Sequence, residues 1–515
     1  MATKMLEIVA EQLPLVASTL IVLLALLAQR FLAKSAISSL PLAGAAIGNA
    51  EKRRKAYLKG AKTIYAEGYQ KFKDKVFRVT TTRNDTIVVP PSLLPELQKL
   101  PDDVLSFSKA IDDQMETKYT KLDTDEPHVV RLIRGSLTPA LPRLNPAIAD
   151  EVDKTLESEM PACKEWTELN VHGKLLRIVA RVSGRIFIGA ELCNQEAYIN
   201  SATKYTVDVV QAVRAVQALK PWARWFKGSS LPEVKVLDKH EEEAKRFLRP
   251  VVTARRGAEK EPGYQKPDDM LQWLLDNPDI GDRDDRVLAK LQLSISFAAI
   301  HTTSLTLTNA LYDLAAHPEL IPELRDEIRT VLAEHGDQLT SPALQKMMKL
   351  DSCLKETLRV NPAGQQTFQR KVLKTFTLST GQVIPAGATL LAPGYAASHD
   401  PDLFPEPEKY DGLRFYRLRK QSKGPNGSTA GTKGVLADGA AHHQFVSLSQ
   451  HVLSFGYGRH ACPGRFFAAN EVKMILADML LKYDIRNIGE ERYPNFMPSD
   501  MCMPDPGRKL LFKAL

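Results

Sequence analysis

Cysteine is scarce in this 515-residue chain. Cys163, Cys193, Cys353, Cys462 and Cys502 are widely spaced, and none forms a C-x-x-C pair. A disulfide framework and a structural zinc site are therefore excluded, and reduced thiols in a cytosol-facing body are expected. No long basic block interleaved with aromatics occurs. Lys plus Arg number 69 against 61 Asp plus Glu, a net charge of +8 spread over the whole length. That argues against nucleic acid as a partner and suits a protein with one face toward anionic lipid or an acidic partner. Internal repeats are absent, and no flavin or nicotinamide fingerprint is visible. With 44% hydrophobic and 25% charged residues, the chain is neither disordered nor collagen-like.

Uncharged runs long enough to cross a membrane are few. Residues 13–28 carry no charge, and with Gln12 and Gln29 the run reaches 18 residues, near the lower end of the roughly 17–25 needed. Arg30, Lys34 and the cluster Lys52, Arg53, Arg54, Lys55 and Lys59 follow it, which puts the body on the cytosolic side. A cleaved signal peptide is the competing reading; the acidic residues Glu7 and Glu11 and the lack of a small-x-small site count against it. Residues 291–311 are also uncharged, but ten of them are polar, among them His301, Thr302 and Asn309. A helix buried through a soluble core is the better reading.

Pro41, Gly44 and Gly48 mark a hinge behind the anchor. Residues 76–80 and 86–89 are short β-branched runs, and residues 371–392 alternate like strands around Gly381 and a turn from Pro385 to Gly387. From about residue 150 to residue 360 the pattern is helical. Residues 286–317 contain neither Gly nor Pro, which allows one helix of 32 residues, about 48 Å long. Residues 420–443 are glycine-rich and poor in apolar side chains, so they read as a flexible surface insertion. His442 and His443 at its end read as a solvated pair rather than metal ligands. The fold class expected is mainly α with small β-sheets (α+β). An anchor over residues 1–34 precedes a single large domain over residues 35–515.

The run LSFGYGRHACPGRFFAANE, residues 453–471, carries the chemistry. Gly456 and Gly458 lack a Cβ, so the backbone can approach a flat ligand. Pro463 suits a first helical position, which sets Cys462 at a helix N-terminus. The helix dipole and free N–H groups there favour a thiolate, and Arg459 and His460 add positive potential. Such a thiolate is a good axial ligand for haem iron.

Phe455, Gly456, Gly458, Arg459, His460, Cys462, Pro463 and Gly464, with Ala468 following, resemble the haem-binding loop of cytochrome P-450 enzymes. The resemblance covers roughly residues 50–515 and implies the cytochrome P-450 fold. It implies haem b (iron protoporphyrin IX) with Cys462 as the metal ligand, and Phe455, Gly456 and Gly464 beside the cofactor. The family has Glu-x-x-Arg on an upstream helix. Three quartets fit that pattern, Glu51 with Arg54, Glu243 with Arg246 and Glu356 with Arg359, and position selects the last. With Arg414, in the segment after Phe404, Pro405, Glu406 and Pro407, these imply a buried structural triad of Glu356, Arg359 and Arg414.

In the long helix, Ala298, Ala299, Ile300, His301, Thr302 and Thr303 resemble the family's oxygen-handling segment. Small residues at 298 and 299 would open the helix toward the iron. Thr302 matches the threonine that helps deliver protons; His301 stands where an acid is usual, and it can relay protons. Arg370 and His460 match propionate partners. Arg134 is a third, with Arg131 or His128 as alternatives, because Val130 replaces the family's tryptophan. The cluster Pro221, Trp222, Ala223, Arg224, Trp225, Phe226 and Lys227 fits either a membrane-interface contact or core packing. The substrate pocket is expected from segments 100–120, 200–230, 365–370 and Ser499 to Met501.

The resemblance thus implies a monooxygenase of the endoplasmic reticulum membrane, single-pass, with its catalytic domain facing the cytosol. Electrons from NADPH would arrive through NADPH–cytochrome P-450 reductase, with cytochrome b5 as a further donor and dioxygen as co-substrate. Basic residues Arg459, Arg465 and Lys473 would dock the acidic surface of that partner. The substrate would be a lipophilic small molecule, with the style of the motifs pointing to terpenoids of fungal secondary metabolism. Two alternatives stand beside this reading: a haem-thiolate isomerase or peroxygenase that needs no reductase, and a non-enzymatic haem or lipid carrier.

Overall fold

The computed structural model describes residues 17–22, 35–122, 124, 126–281, 284–421 and 434–515. The expected anchor at residues 13–28 lies outside the described residues except for a helical stretch at 17–22. Among the described residues no helix is long and apolar enough to cross a membrane.

The helices that position the site are α1 (Phe107–Gln114), α2 (Thr138–Glu159), α3 (Val171–Phe187), α4 (Glu196–Ala218), α5 (Pro221–Lys227), α6 (Pro232–Ala258), α7 (Asp285–Ala316), α8 (Met348–Val360) and α9 (Arg465–Lys482). Helix α7 has the expected 32 residues. The Asp284 carboxylate caps it by accepting from Arg286 N at 3.0 Å, and Pro318 stands just beyond its end. It packs against α3, α4, α6, α8 and α9, which makes it the axis of the helical core. The polar residues that weighed against a membrane span are bonded within that core. Gln292 donates to Phe187 O at 2.9 Å, Ser304 to Ile300 O at 2.7 Å and Thr308 to Ser304 O at 2.7 Å.

The larger sheet contains β1 (Phe77–Thr80), β2 (Asp85–Val88), β3 (Leu105–Ser106), β4 (Thr367–Val372) and β5 (Thr389–Ala392), in the order β1-β2-β5-β4-β3. All neighbours are antiparallel except β2 and β5. A β-bulge interrupts β4 between Thr367 and Arg370, where Phe368 takes a left-handed φ of 54°. In a second sheet Leu510–Ala514 lies between Thr167–Leu169 and Tyr483–Asn487.

Two expectations need correction. The segment at Pro41 and Gly44 is pinned rather than hinged: Arg78 N donates to Pro41 O at 2.8 Å, and Ala43 N to Arg78 O at 2.9 Å. Of the insertion at 420–443, residues 422–433 lie outside the described ones, and His443 is not solvated. It is 2% exposed, with Nε2 bonded to Asp438 O at 3.0 Å, because the segment folds back onto Phe415.

Candidate active site around Cys462

Cys462 follows the 3-10 turn Gly458–His460 and precedes α9, whose N-cap is Gly464. Pro463 therefore lies before the helix, not at its first position. The backbone amides of Gly464 and Arg465 point at the Cys462 sulfur. They and the Arg465 guanidinium pull the thiol pKa down, but burial outweighs them and leaves it above its ordinary value. So the expected pull toward thiolate is present and insufficient alone; a bound cation would supply the rest. Cys462 is itself exposed although Ala461 beside it is buried, so the residue is reachable.

The glycines also meet constraints within the chain itself. Gly456 has φ +76°, and the nearest neighbour of an added Cβ would be Ala461 Cα at 3.5 Å, so backbone conformation requires glycine there. A Cβ on Gly458 would meet Gln98 Oε1 at 2.6 Å, so that close approach is made to Gln98. Gly464 has open space around its Cα. Phe455 is half-buried, edge-on to Phe445 with ring centroids 5.4 Å apart, and its carbonyl accepts from Cys462 N at 2.9 Å.

Cations gather beside this loop. Arg370 is 5% exposed, and its guanidinium donates to Gln369 O at 2.7 Å. Among the described residues no carboxylate forms an ion pair with it. Burial first, then the neighbouring Arg459, pulls its pKa down to about 10. His460 lies 2.8 Å from the Asp102 carboxylate, and burial lowers its pKa. Arg134, exposed, donates to Arg459 O at 2.6 Å. Its two alternatives turn elsewhere: Arg131 bonds His128 at 2.8 Å, and His128 faces Asp279 at 3.6 Å. Of Arg134, Arg370, Arg459 and His460, only Arg459 and His460 reach a carboxylate among the described residues, and it is the same one, Asp102. Arg370 is a buried cation without a counter-charge, which is costly, so this cluster calls for an anionic group. A flat dianion beside a reachable cysteine is what haem propionates and iron would provide. The donor set fits the cofactor.

On α7, Ala298 and Thr302 are exposed one turn apart, although Ile295, Ser296, Ile300, Thr303 and Ser304 around them are buried. The Thr302 hydroxyl donates to Ala298 O at 2.9 Å and lies 3.1 Å from Ala299 O, so it covers the carbonyls of the small residues. The helix runs unbroken through this point. His301 turns away, with Nε2 3.0 Å from Thr203 O on α4, and burial lowers its pKa. A neutral imidazole donating to that carbonyl ties α7 to α4.

Glu356, Arg359 and Arg414 do meet in space. Arg359 grips Glu356 through two bonds of 2.8 Å, and Arg414 Nε donates to the same carboxylate at 3.0 Å. All three are buried, at 0%, 1% and 8% exposure. The guanidiniums also reach the carbonyls of Ser398 and Pro407, both at 2.7 Å, and Pro405 at 2.6 Å. Glu356 thereby fastens α8 to the irregular segment around residues 398–409. The quartet at Glu51 and Arg54 is a local pair of 3.0 Å with a half-exposed carboxylate.

Other expected parts of the site divide. Segments 364–366 and 500–501 meet: Gln365 N donates to Asp500 O at 2.7 Å, and Gln366 bonds the Asp500 carboxylate at 3.0 Å. Lys473 is not a docking residue; it is 5% exposed, paired with Asp351 and bonded to Leu344 O at 3.0 Å. Arg459 is engaged by Asp102 at 2.9 Å. On α5, Trp222, Trp225 and Phe226 are 69–74% exposed, which excludes core packing for them. Sequence reading missed Asp102 and Phe107, which approach the Cys462 loop only through tertiary structure. It also missed Glu116, a buried carboxylate held by Arg83 and Arg224.

Comparison with known proteins agrees with this geometry. The cytochrome P450 family model matches residues 66–512, and the chain belongs to that family. It is 38% identical over 435 residues to cytochrome P450 monooxygenase ATR3 of Stachybotrys chlorohalonatus, covering 84% of this chain and 89% of that one. It is 34% identical over 470 residues to cytochrome P450 monooxygenase BOA4 of Botryotinia fuckeliana, covering 91% and 90%. The fold is shared with retinoic acid bound cyanobacterial CYP120A1, at a TM-score of 0.64 and 18% identity over 87% of this chain and 93% of that one. The protein is therefore a cytochrome P450 monooxygenase, and the family implies haem, dioxygen and electrons from a redox partner.

Proposed function

We propose that Cys462 is the axial ligand of haem b in a monooxygenase that oxidises a lipophilic substrate, a terpenoid intermediate of fungal secondary metabolism. The observation that carries this is the reachable Cys462 under two backbone amides, beside a cation cluster short of carboxylates. Bound there, haem with a thiolate ligand supplies O–O cleavage. The chain holds and steers. Arg370, His460 and Arg134 would neutralise the propionates, and the amides of Gly464 and Arg465 would stabilise sulfur charge. Thr302 would hand protons from its hydroxyl, with Ala298 O as its resting acceptor. His301 would act by fixing α7 against α4 through its neutral imidazole.

Electrons would come from NADPH through a separate reductase, since the chain shows no flavin or nicotinamide fingerprint. The body would sit on the cytosolic face of the endoplasmic reticulum membrane, supported by the uncharged run at 13–28 and the exposed aromatics of α5. The terpenoid reading rests on the style of the motifs.

The deciding experiment is the carbon monoxide difference spectrum of reduced, haem-loaded protein for wild type and C462S. Wild type should show the red-shifted thiolate band and C462S should lack it. A stable haem protein without that band in wild type would sink the assignment. Turnover with reductase and NADPH on terpenoid, polyketide and alkaloid panels then tests the substrate.

A further inference from the structure

Arg370 and His460, beside Cys462, meet at one aromatic ring. Phe107 stacks on His460, with ring centroids 5.2 Å apart and planes 20° apart. The same ring lies 5.2 Å from the Arg370 guanidinium, whose other neighbour is the Phe368 ring at 4.1 Å. Strand pairing produces this arrangement. β3 joins β4 with Leu105 opposite Val372 and Ser106 opposite Lys371, so the next residue on each strand brings Phe107 toward Arg370. Ser106 then caps α1, accepting from Lys109 N at 3.2 Å, and fixes where Phe107 leaves the strand. The left-handed Phe368, inside the bulge of β4, stands under the guanidinium.

Phe107 is poorly explained as core. It is half-buried, and the apolar cluster under the sheet takes Leu105, Phe368 and Val372 without it. Arg370 finds no carboxylate among the described residues, so two aromatic faces stand where a counter-ion would. Aromatic faces attract cations through their quadrupole and leave the N–H donors free to reach outward. We infer that Phe107 is a positioning residue, holding Arg370 and His460 together at the angle needed to grip the propionates of the bound haem. This rests on the reading that Cys462 ligates haem.

The test uses full-length, haem-loaded wild type, F107L, F107Y, R370Q and the F107L/R370Q double variant. Each is first checked for the thiolate carbonyl band. Haem loss is then timed by transfer to an excess of haem-free globin. F107L should lose haem about tenfold faster than wild type, the size expected for one cation–aromatic and one ring-stacking contact at a partly exposed site. F107Y, which keeps the ring, should stay within about twofold. In the R370Q background the F107L effect should shrink to about threefold, because one of its two contacts is already gone. If F107L fails to fold, F107M takes its place. A thiolate band in wild type with F107L losing haem at the wild-type rate overturns the inference alone. So does equal loss by F107L and F107Y, or effects of F107L and R370Q that simply multiply. Absence of the band in wild type overturns the haem reading, and this inference with it.

Discussion

Two histidines at α7, His301 on the helix and His172 against it, are held neutral by burial, and this sets how the protein should respond to acid. His172, at the start of α3, lies 3.1 Å from Thr308 Oγ1, and burial, then the neighbouring His301, lowers its pKa to about 4. The Thr308 hydroxyl already donates to Ser304 O, so the His172 ring nitrogen must be the donor. A histidine whose folded pKa is depressed takes up its proton more readily unfolded. Its contribution is intact above the ordinary value near 6.5 and is lost as pH falls toward about 4. Across that window the loss is on the order of 3 kcal/mol at ~1.4 kcal/mol per unit. H172Q, which keeps a donor toward Thr308, should therefore flatten the fall in melting temperature between neutral and mildly acidic pH; an unchanged slope would exclude His172 as its source. His301 shifts in the same direction. Its departure from the usual acid was visible in sequence, whereas its attachment to Thr203 O was not, because that contact spans 98 residues. Cys462 was legible because its partners are local amides. Asp102 was not legible, being 358 residues from His460.

At the scale of elements, one carboxylate does for the outer layer what Glu356 does beneath the cysteine loop. Glu116, 1% exposed and in the left-handed region at φ 52°, pairs with Arg83 from the β1–β2 turn and with Arg224 of α5 at 2.9 Å. Arg224 also donates to Thr82 O at 2.7 Å and Gln217 O at 2.9 Å. A polar cavity of about 330 Å³ opens beside these groups. E116Q should weaken the hold on α5 and raise amide exchange over residues 221–228 by about tenfold without altering α7; unchanged exchange would mean other contacts hold α5. For the inner clasp, E356A strands two buried guanidiniums, a loss of about 3–5 kcal/mol. It should yield little haem-competent protein, measured as carbonyl-band absorbance per unit of protein. R359K should fail similarly, since a lysine cannot grip Glu356 and the Ser398 and Pro407 carbonyls together. The long helix, the β1–β2 hairpin and the inner triad were readable from periodicity and resemblance. The outer clasp was not, because Glu116 and Arg224 are 108 residues apart and the aromatic cluster around Arg224 does not point to Glu116.

For the whole molecule, α5 carries the exposed aromatic surface on which the proposal of lipid contact rests. Trp222, Trp225 and Phe226 project into solvent, and Lys118 sits 3.5 Å above the Trp225 ring. Aromatic rings with basic neighbours suit the headgroup zone. A protein lacking residues 1–34 should still bind vesicles containing anionic lipid, and serine at 222, 225 and 226 together should reduce that binding at least tenfold in a flotation assay. Retained binding would assign lipid contact elsewhere. The sequence cluster left this surface undecided between interface and core, since aromatic composition does not reveal facing. The inner triad carries a further implication, about time. Glu356 bonds Arg414 across 58 residues, and Arg359 reaches Ser398 across 39. Ser454, at the head of the cysteine loop, donates to Leu358 O across 96. Such contacts form late, because distant segments must be gathered before any of them is rewarded. The cysteine loop is thus anchored through contacts between distant segments. A chain in which those contacts had not yet formed would hold its helices and yet have nowhere to seat the cofactor.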